Sequence, residues 1–266
     1  MFDRILLFGY GTMASAMLEG WLASGLEAHC FTAYNPRPKH VPEGVTFTSD
    51  VPTGDFDAIV LGVKPQRLAE VAEEVEPLAG PDTMLISMLA AIDLDALAER
   101  FPRAGGIVRL MPNLAVAIGK SPNALVARGL TKAQRDAVTD LAVRLGSAEW
   151  LADEAQFDLI TALTGSGPGF VYRFVDALAG GAAALGMDRA QADRLARQMV
   201  AGAATLAVDS PHSPGELARR VASPGGTTQK GLDVLDDGRA LETLLTRCLA
   251  ATRDRERELA RDLSAS

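Results

Sequence analysis

The stretch ILLFGYGTMASAM (residues 5–17) decides the fold, because a short apolar run passes through two glycines directly into a helical pattern. Its small residues have the spacing G-x-G-x-x-A, with Gly9, Gly11 and Ala14 at the marked positions. In a strand-turn-helix unit the first glycine allows the tight turn, the second lets the backbone approach a pyrophosphate, and the small third residue keeps the helix close to the strand. The stretch therefore predicts the first strand and helix of a dinucleotide-binding α/β domain.

The start of the predicted helix would supply the phosphate contacts of such a site. The first N–H groups of a helix have no partner within it, and the helix dipole favours an anion there. We therefore expect Thr12 and Met13 to bind the cofactor together with the two glycines.

The rest of the first half alternates apolar runs with helical patterns, which predicts a parallel sheet with helices on its faces. The strand-like runs are RILLF (4–8), AHCFTAY (28–34), AIVLGV (58–63), TMLISM (83–88), GIVRLM (106–111), NALVARG (123–129) and AEWLA (148–152), and the helical patterns cover 12–24, 65–78, 93–101 and 131–145.

After about residue 153 the strand pattern ends, and apolar residues repeat at helical spacing in four stripes. The sequence therefore predicts two domains, a Rossmann-type α/β domain over residues 1–152 and an all-α domain over residues 153–266. The run ALAGGAAALG (177–186) is rich in small residues that let helix backbones approach, either within one chain or between two. The amount of apolar stripe to be covered favours two chains, so we expect the all-α domain to form a homodimer.

The end of the second predicted strand indicates which dinucleotide binds. Sites for NAD usually carry a carboxylate there that bonds the ribose 2′-hydroxyl. This chain has Asn35 followed by Arg37 and Lys39, so no carboxylate repels a 2′-phosphate and two cations can bind it. We therefore predict NADPH as the cofactor, with NADH possible.

A second cofactor segment follows the strand-like run at 58–63. Ligands of open α/β sheets bind at the carboxyl ends of the strands. Val63, Lys64 and Pro65 in LGVKPQ (61–66) therefore fall near the cofactor by position, although a lysine and a proline can also simply end a strand.

Composition excludes several classes of partner. The net charge of −8 gives no basic footprint for nucleic acid, and no run of apolar residues is long enough to cross a membrane. Cys30 and Cys248 are far apart and match no metal or redox spacing, so no metal site is expected. The N-terminus lacks the features of a signal peptide. These observations predict a soluble, cytoplasmic protein.

The chain resembles the pyrroline-5-carboxylate reductases over almost its whole length. The segments FGYGTMASAM, LGVKPQ, RLMPN (109–113), LTGSGPGFVYRF (163–174) and SPGGTTQKGL (223–232) occur in the order and at roughly the spacing of that family. The resemblance implies a Rossmann domain that binds NAD(P)H and a helical domain that interlocks with a second copy, with dimers often assembling into larger rings. It also implies the reduction of 1-pyrroline-5-carboxylate to L-proline, the last step of proline biosynthesis.

The resemblance implies the site residues as well. The substrate carboxylate would be held by backbone N–H groups around the PGGTT turn, and a turn that runs into a helix does expose such amides. Thr228 would be the catalytic hydrogen-bond donor to the ring nitrogen, and Asn113 would lie beside the nicotinamide. The residues expected to bind the cyclic imino acid are Ser166, Ser223, Gly225, Gly226, Thr227 and Thr228.

Several positions differ from the residues that are usual in the family, so the sequence leaves the identity of the imine substrate open. A six-membered relative of pyrroline-5-carboxylate is an alternative substrate. A β-hydroxyacid reductase of similar build would need a lysine in the helical domain, where Lys230 is the only one. A third alternative is a non-catalytic NADP-binding protein, which would not need the intact GSGP and SPGGTT segments. The departures are Leu89, Ala91, Leu114, Ala115, Arg173, Gln229 and Lys230.

Overall fold

The computed structural model describes residues 2–264, and among them eight strands form one sheet in the order β3-β2-β1-β4-β5-β6-β7-β8. Every neighbouring pair is parallel except β6 with β7. The strands are β1 (Ile5–Phe8), β2 (Phe31–Tyr34), β3 (Thr46–Thr48), β4 (Ala58–Leu61), β5 (Met84–Ser87), β6 (Gly106–Met111), β7 (Ser121–Arg128) and β8 (Gly146–Trp150).

Ten α-helices are found in the same residues, and the first four, α1 to α4, lie between strands of the sheet in the sequence. A π-helical turn, Thr161–Gly165, follows α5 directly. The helices are α1 (Thr12–Ala23), α2 (Leu68–Val75), α3 (Leu94–Arg100), α4 (Lys132–Val143), α5 (Phe157–Ile160), α6 (Gly167–Ala184), α7 (Arg189–Asp209), α8 (Pro214–Val221), α9 (Thr227–Asp236) and α10 (Ala240–Ser264).

The sheet is covered by helices on both faces, as the buried, uninterrupted apolar strands predict. Alternate residues of a strand point to opposite faces. Ile5 and Leu7 of β1 therefore pack into a core with α1 and α4, whereas Leu6 and Phe8 pack into a second core with α2 and α3. The fully buried Trp21 of α1 also donates its indole N–H to Leu141 O of α4 at 2.9 Å.

The predicted α/β architecture is confirmed, with three differences in detail. The edge strand β3 has only three residues and was not foreseen. Residues 28–30 form a 3-10 turn, so β2 begins at Phe31. The helix expected over 65–78 is divided into α2 and two flanking 3-10 turns, each of which contains a proline in its first turn.

The predicted parallel sheet contains one antiparallel junction. Strand β7 runs antiparallel to β6, and only a short 3-10 turn, Leu114–Ile118, lies between them. A parallel pair needs a long crossover, usually a helix. Because no crossover helix separates these two strands, the chain reverses direction.

The chain divides into two compact units. One contains the residues up to Ser166 together with those from Thr252 onward, and the other contains Gly167–Ala251. The end of α10 thus belongs to the sheet-containing unit, where Leu263 packs on the same core as Phe157. The boundary at 152/153 stays a prediction.

The helical unit, residues 167–251, has a small core of its own. The buried residues of this core are Ala179 of α6 and Ala192 and Ala196 of α7, which contact one another. Many large apolar side chains remain exposed, including Val171, Tyr172, Phe174, Leu178, Leu185, Leu195, Met199, Leu206, Val208, Val234, Leu244 and Leu245.

Candidate active site

The turn between β1 and α1 is built so that only glycine fits its first position. Gly9 has a φ of +96°, and a Cβ added there would lie 2.7 Å from Val63 Cγ1 and 2.9 Å from the Gly62 carbonyl. At Gly11 an added Cβ would meet only Gly62 O, at 3.9 Å. The protein itself therefore does not require glycine at position 11, and the open side of this backbone is available to a ligand.

The start of α1 offers unpaired donors, as the sequence predicts. Gly11 is the N-cap of α1, and the first turn of this helix contains no acidic residue. The Ser15 N–H donates to Gly11 O at 2.9 Å. Among the described residues, the N–H groups of Thr12 and Met13 have no acceptor. Such a helix start favours a phosphate or another anion.

Gly62 faces Gly9 from the end of β4, and sequence reasoning missed it. A Cβ there would lie 2.4 Å from Gly9 O and 3.0 Å from Met88 Cε. These two glycines lie where the strand order reverses between β1 and β4, the point at which open α/β sheets bind ligands. The glycine that directly follows the apolar run AIVL was the signal that could have identified it.

A cleft of about 320 Å³ opens at this edge of the sheet. The predicted residues Gly9, Gly11, Asn35, Val63 and Lys64 line it, with Pro65 beginning the 3-10 turn that follows. The chain thus brings together most of the cofactor residues that the sequence predicts.

The cations that were expected to bind a 2′-phosphate line an adjoining open cleft. Arg37, Lys39 and Asn35 are joined there by Arg67, which sequence reasoning missed. The Asn35 side chain shapes this loop by donating to Arg37 O at 2.7 Å. Among the described residues Arg37 and Lys39 have no ion-pair partner, whereas Arg67 binds Glu70 at 2.7 Å and holds the pKa of that exposed carboxyl below its usual range.

Beside Gly62, a second pocket of about 160 Å³ is lined by three methionines, Met13, Met88 and Met111, with Val63 and Pro112. Asn113 directly follows Pro112 of this pocket, and its side-chain amide forms hydrogen bonds with other residues of the chain. Its Oδ1 accepts from Ala115 N and its Nδ2 donates to Thr164 O, each at 2.9 Å. The side chain therefore ties the end of β6 to the π-helical turn.

The GSGP segment begins at that same turn. Ser166 donates its backbone N–H to Thr161 O at 3.2 Å, and its half-buried hydroxyl forms no hydrogen bond with the described residues. A Cβ on Gly165 would lie 3.9 Å from Met111, so this segment lies against the end of β6. Pro168 falls in the first turn of α6, a position that proline suits.

In the helical unit, the PGGTT turn has the geometry of an anion site. Gly225 has a φ of +72°, Gly226 donates to Ser223 O at 2.8 Å, and Gly226 is the N-cap of α9. The amides of Thr227 and Thr228 have no acceptor within residues 2–264, and the first turn of α9 has no acidic residue. Both threonine side chains are exposed, as is that of Ser223.

The positions at which this chain differs from the residues usual in the family lie in different environments. Leu89 is buried in the core beneath α3, and Ala91 has a φ of +63°. Arg173 and Lys230 are exposed and pair within their own helices, with Asp176 and Asp233.

Membrane-spanning helices and metal-binding clusters are both absent from residues 2–264. No helix there is long and apolar enough to cross a membrane. No group of three or more histidine, cysteine, aspartate or glutamate residues in that range could hold a metal ion.

Known proteins are similar to this chain over almost its whole length. Residues 154–259 match the family described as pyrroline-5-carboxylate reductase dimerisation, and residues 4–91 match the family described as NADP oxidoreductase, coenzyme F420-dependent. The pyrroline-5-carboxylate reductase of Pseudomonas aeruginosa is 33% identical over 98% of this chain and 98% of its own. That of Pisum sativum is 35% identical over 94% of each.

Solved structures agree with this assignment. A pyrroline-5-carboxylate reductase from Coxiella burnetii has a TM-score of 0.88 at 29% identity, covering 97% of this chain and 98% of that one. The Plasmodium falciparum pyrroline carboxylate reductase with NADP bound has the same fold, with a TM-score of 0.84 at 22% identity over 97% of this chain and 98% of that one. The motifs, the fold and these relatives together establish that the chain belongs to the pyrroline-5-carboxylate reductase family.

Proposed function

We propose that this chain catalyses the NADPH-dependent reduction of the C=N bond of 1-pyrroline-5-carboxylate to L-proline, the last step of proline biosynthesis. The observation that carries the proposal is that similarity to enzymes of this name extends over both units, through the dinucleotide turn and the PGGTT turn alike.

The residues at the ends of β1 and β4, where the strand order reverses, fit the cofactor. Thr12 and Met13 would hold the pyrophosphate through main-chain amides that have no acceptor in the described chain, and Gly9 and Gly11 would let it approach the backbone. Arg37 and Lys39 would bind the 2′-phosphate as charge-assisted donors. When bound, NADPH supplies the hydride to the imine carbon, and the chain's own residues do the positioning.

The substrate carboxylate is assigned to the turn that begins α9. The free amides of Thr227 and Thr228 and the positive end of the helix dipole favour a small anion, and the hydroxyls of Ser223 and Thr227 are exposed beside them. Ser166, whose hydroxyl has no partner among the described residues, is a second donor to the same substrate in this proposal.

Thr228 orients the ring nitrogen rather than protonating it. A threonine hydroxyl is too weak an acid to transfer a proton fully to an imine, but it can donate a hydrogen bond to the nitrogen. The protonated iminium already carries the proton that the amine product keeps, and it is electrophilic, so no strong catalytic acid is needed. Rate enhancement then comes mainly from holding the two reactants in the reacting geometry. Asn113 supports the cofactor end by fixing the end of β6.

The chain is a homo-oligomer that acts on a small molecule, and the finer assembly belongs to the proposal. We assign the dimer interface to the helices after residue 153, where large apolar side chains are exposed. A ring of dimers, a cytoplasmic location and a domain boundary at 152/153 are further parts of the same proposal. Light scattering on the purified chain measures the number of subunits.

Turnover with a panel of cyclic imines tests the function. Loss of NADPH absorbance with 1-pyrroline-5-carboxylate, and proline as the product, is the expected result. Faster turnover with the six-membered imino acid would reassign the substrate. Tight NADPH binding without turnover on either imine would contradict the proposal and favour a non-catalytic protein.

A further inference from the structure

The chain leaves α5 through a turn whose hydrogen bonds differ from those of an α-helix. Residues Thr161–Gly165 form a π-helical turn, and the Ser166 N–H donates to Thr161 O, five residues back, at 3.2 Å. Such turns are rare and frequently lie at functional sites. Ser166, whose hydroxyl is the second substrate donor in the proposed function, directly follows this one.

Pro168 removes a main-chain donor from the same turn. In an α-helix the carbonyl of Thr164 would accept from the N–H of residue 168, four residues later. Proline has no N–H, so that donor is missing. Thr164 is half-buried, and a carbonyl oxygen that is withdrawn from water costs free energy unless another group donates to it.

The side chain of Asn113 donates to this carbonyl. Its Nδ2 lies 2.9 Å from Thr164 O, and its Oδ1 accepts from Ala115 N at 2.9 Å. Because an acceptor faces one end of the amide and a donor faces the other, the two bonds fix the orientation of the side chain. The Asn113 main-chain N–H also donates to the buried Ser121 Oγ at 3.0 Å. Asn113 itself is only 6% exposed, so it is held at both its backbone and its side chain.

The start of the same segment is held by a separate contact from β6. The buried Arg109 binds Glu154 Oε1 through Nη1 at 2.6 Å, and its guanidinium lies 3.8 Å from the centre of the Phe157 ring. Leu94 N donates to the same Glu154 oxygen at 3.0 Å. The first part of the segment therefore has its own attachment to the sheet, and Asn113 is left to fix the last turn before Ser166.

This last turn lies beside the methionine pocket. A Cβ added to Gly165 would lie 3.9 Å from Met111, which lines that pocket together with Pro112. Asn113 directly follows Pro112 in the chain. One asparagine thus joins the wall of the pocket to the turn that carries Ser166.

We propose that Asn113 is a positioning residue, which directs the Ser166 hydroxyl at the substrate by donating to Thr164 O in place of the N–H that Pro168 lacks. The catalytic part of this inference rests on the proposed function, in which Ser166 is a donor to the imino acid. Asn113 then acts on the substrate through another residue, while its own amide bonds within the chain.

Asn113→Asp separates the two side-chain contacts. Aspartate keeps an oxygen for Ala115 N, as helix-capping residues do, but cannot donate to Thr164 O. The matched control is Asp188→Asn, the reverse exchange at the N-cap of α7, where the exposed side chain accepts from Gln191 N at 2.9 Å. If Asn113→Asp does not fold, Asn113→Ser replaces it, because serine also caps a helix and has no amide that could donate to Thr164 O.

Hydrogen exchange at the Ser166 amide tests the contact without any turnover. In Asn113→Asp we expect this amide to exchange about tenfold faster than in the unaltered chain, because the turn has lost the bond that holds it. The Thr161 amide donates to Phe157 O in the separately held part of the segment, so its exchange should change less than about twofold. Equal exchange at Ser166 in the two chains would overturn the proposal.

Kinetics test the functional consequence separately. We expect Asn113→Asp to raise KM for the imine about tenfold and to leave Kd for NADPH within about twofold. Lower stability with unchanged KM and kcat would make Asn113 purely structural, and weaker NADPH binding with unchanged KM would make it a contact of the nicotinamide. Either result would overturn the proposal. If the unaltered chain does not turn over, the proposed function fails, while the exchange experiment still decides the contact.

A double-mutant cycle identifies the residue through which Asn113 acts. Once Ser166→Ala has removed the hydroxyl, the Asn113 contact has nothing left to direct. KM for the imine in Ser166→Ala/Asn113→Asp should therefore lie within about twofold of that in Ser166→Ala alone. Single effects that multiply in the double variant would contradict the proposal.

Discussion

The sheet-containing unit buries Trp21, Phe31 and Phe157 almost completely, whereas the buried core of the helical unit consists of Ala179, Ala192 and Ala196. The first unit has two apolar cores, one on each face of its sheet. The second leaves side chains such as Leu185 92% exposed. An exposed apolar surface of this kind marks a protein interface. The comparison indicates that the sheet unit folds around its own residues and that the helical unit needs another chain.

A charge on the exposed stripe of α7 should have the largest effect. Leu195 is 53% exposed in this chain, and we expect Leu195→Asp to weaken self-association about a thousandfold, because a charge would be buried in the interface. Analytical ultracentrifugation measures the change. The matched control is Val143→Asp in the sheet unit, where Val143 is 45% exposed, and equal dissociation by both variants would remove the contrast between the units.

The glycine turn sharpens the comparison within the sheet unit. Gly9→Ala should lower the free energy of unfolding by about 2 kcal/mol or more, since it adds a contact of 2.7 Å to a positive φ, and should also abolish tight NADPH binding. Gly11→Ala should leave stability nearly unchanged but weaken NADPH binding about a hundredfold, because the added methyl group points to open space. Denaturant unfolding and NADPH fluorescence measure the two effects.

Gly54→Ala provides the control for that pair. Gly54 has a φ of +110° with nothing within 4 Å of an added Cβ, so it isolates the backbone strain. Unchanged NADPH binding in Gly11→Ala would contradict the assignment of the pyrophosphate.

Arg37→Ala tests whether the loop after β2 discriminates between coenzymes. Removing one charged donor to a phosphate should raise KM for NADPH at least about tenfold and leave KM for NADH within about twofold. Steady-state kinetics with both coenzymes measure this difference. Arg128→Ala, which removes an exposed arginine paired with Asp95, is the control, and equal changes for both coenzymes in Arg37→Ala would make Arg37 a bystander.

Thr228→Ala should have the smallest of these effects. We expect kcat to fall about tenfold with the fold intact, since one hydrogen bond to the ring nitrogen is lost. Thr246→Ala is the comparison, because the Thr246 hydroxyl is satisfied within α10 by Glu242 O at 2.8 Å. An unchanged kcat in Thr228→Ala would remove Thr228 from the catalytic residues.

The regular features of the sheet unit could be predicted from the sequence because each depends on local chemistry. Buried strands appear as apolar runs, and the turn at Gly9 appears as a motif. The strand β3 could not be foreseen, because three residues at a sheet edge carry no apolar run. The direction of β7 depended on the length of a connection rather than on the strand itself.

Parts of the candidate site escaped prediction because they depend on tertiary packing. Arg67 joins Arg37 and Lys39 only because α2 begins beside the loop after β2. No spacing in the sequence indicates this placement of Arg67.

A crystal structure of the chain with NADP and proline bound tests the central claim most directly. The account predicts the proline carboxylate within hydrogen-bond distance of the backbone amides of Thr227 and Thr228, with the Thr228 hydroxyl directed at the ring nitrogen. A carboxylate bound by other groups, with this turn contacting only solvent, would contradict it.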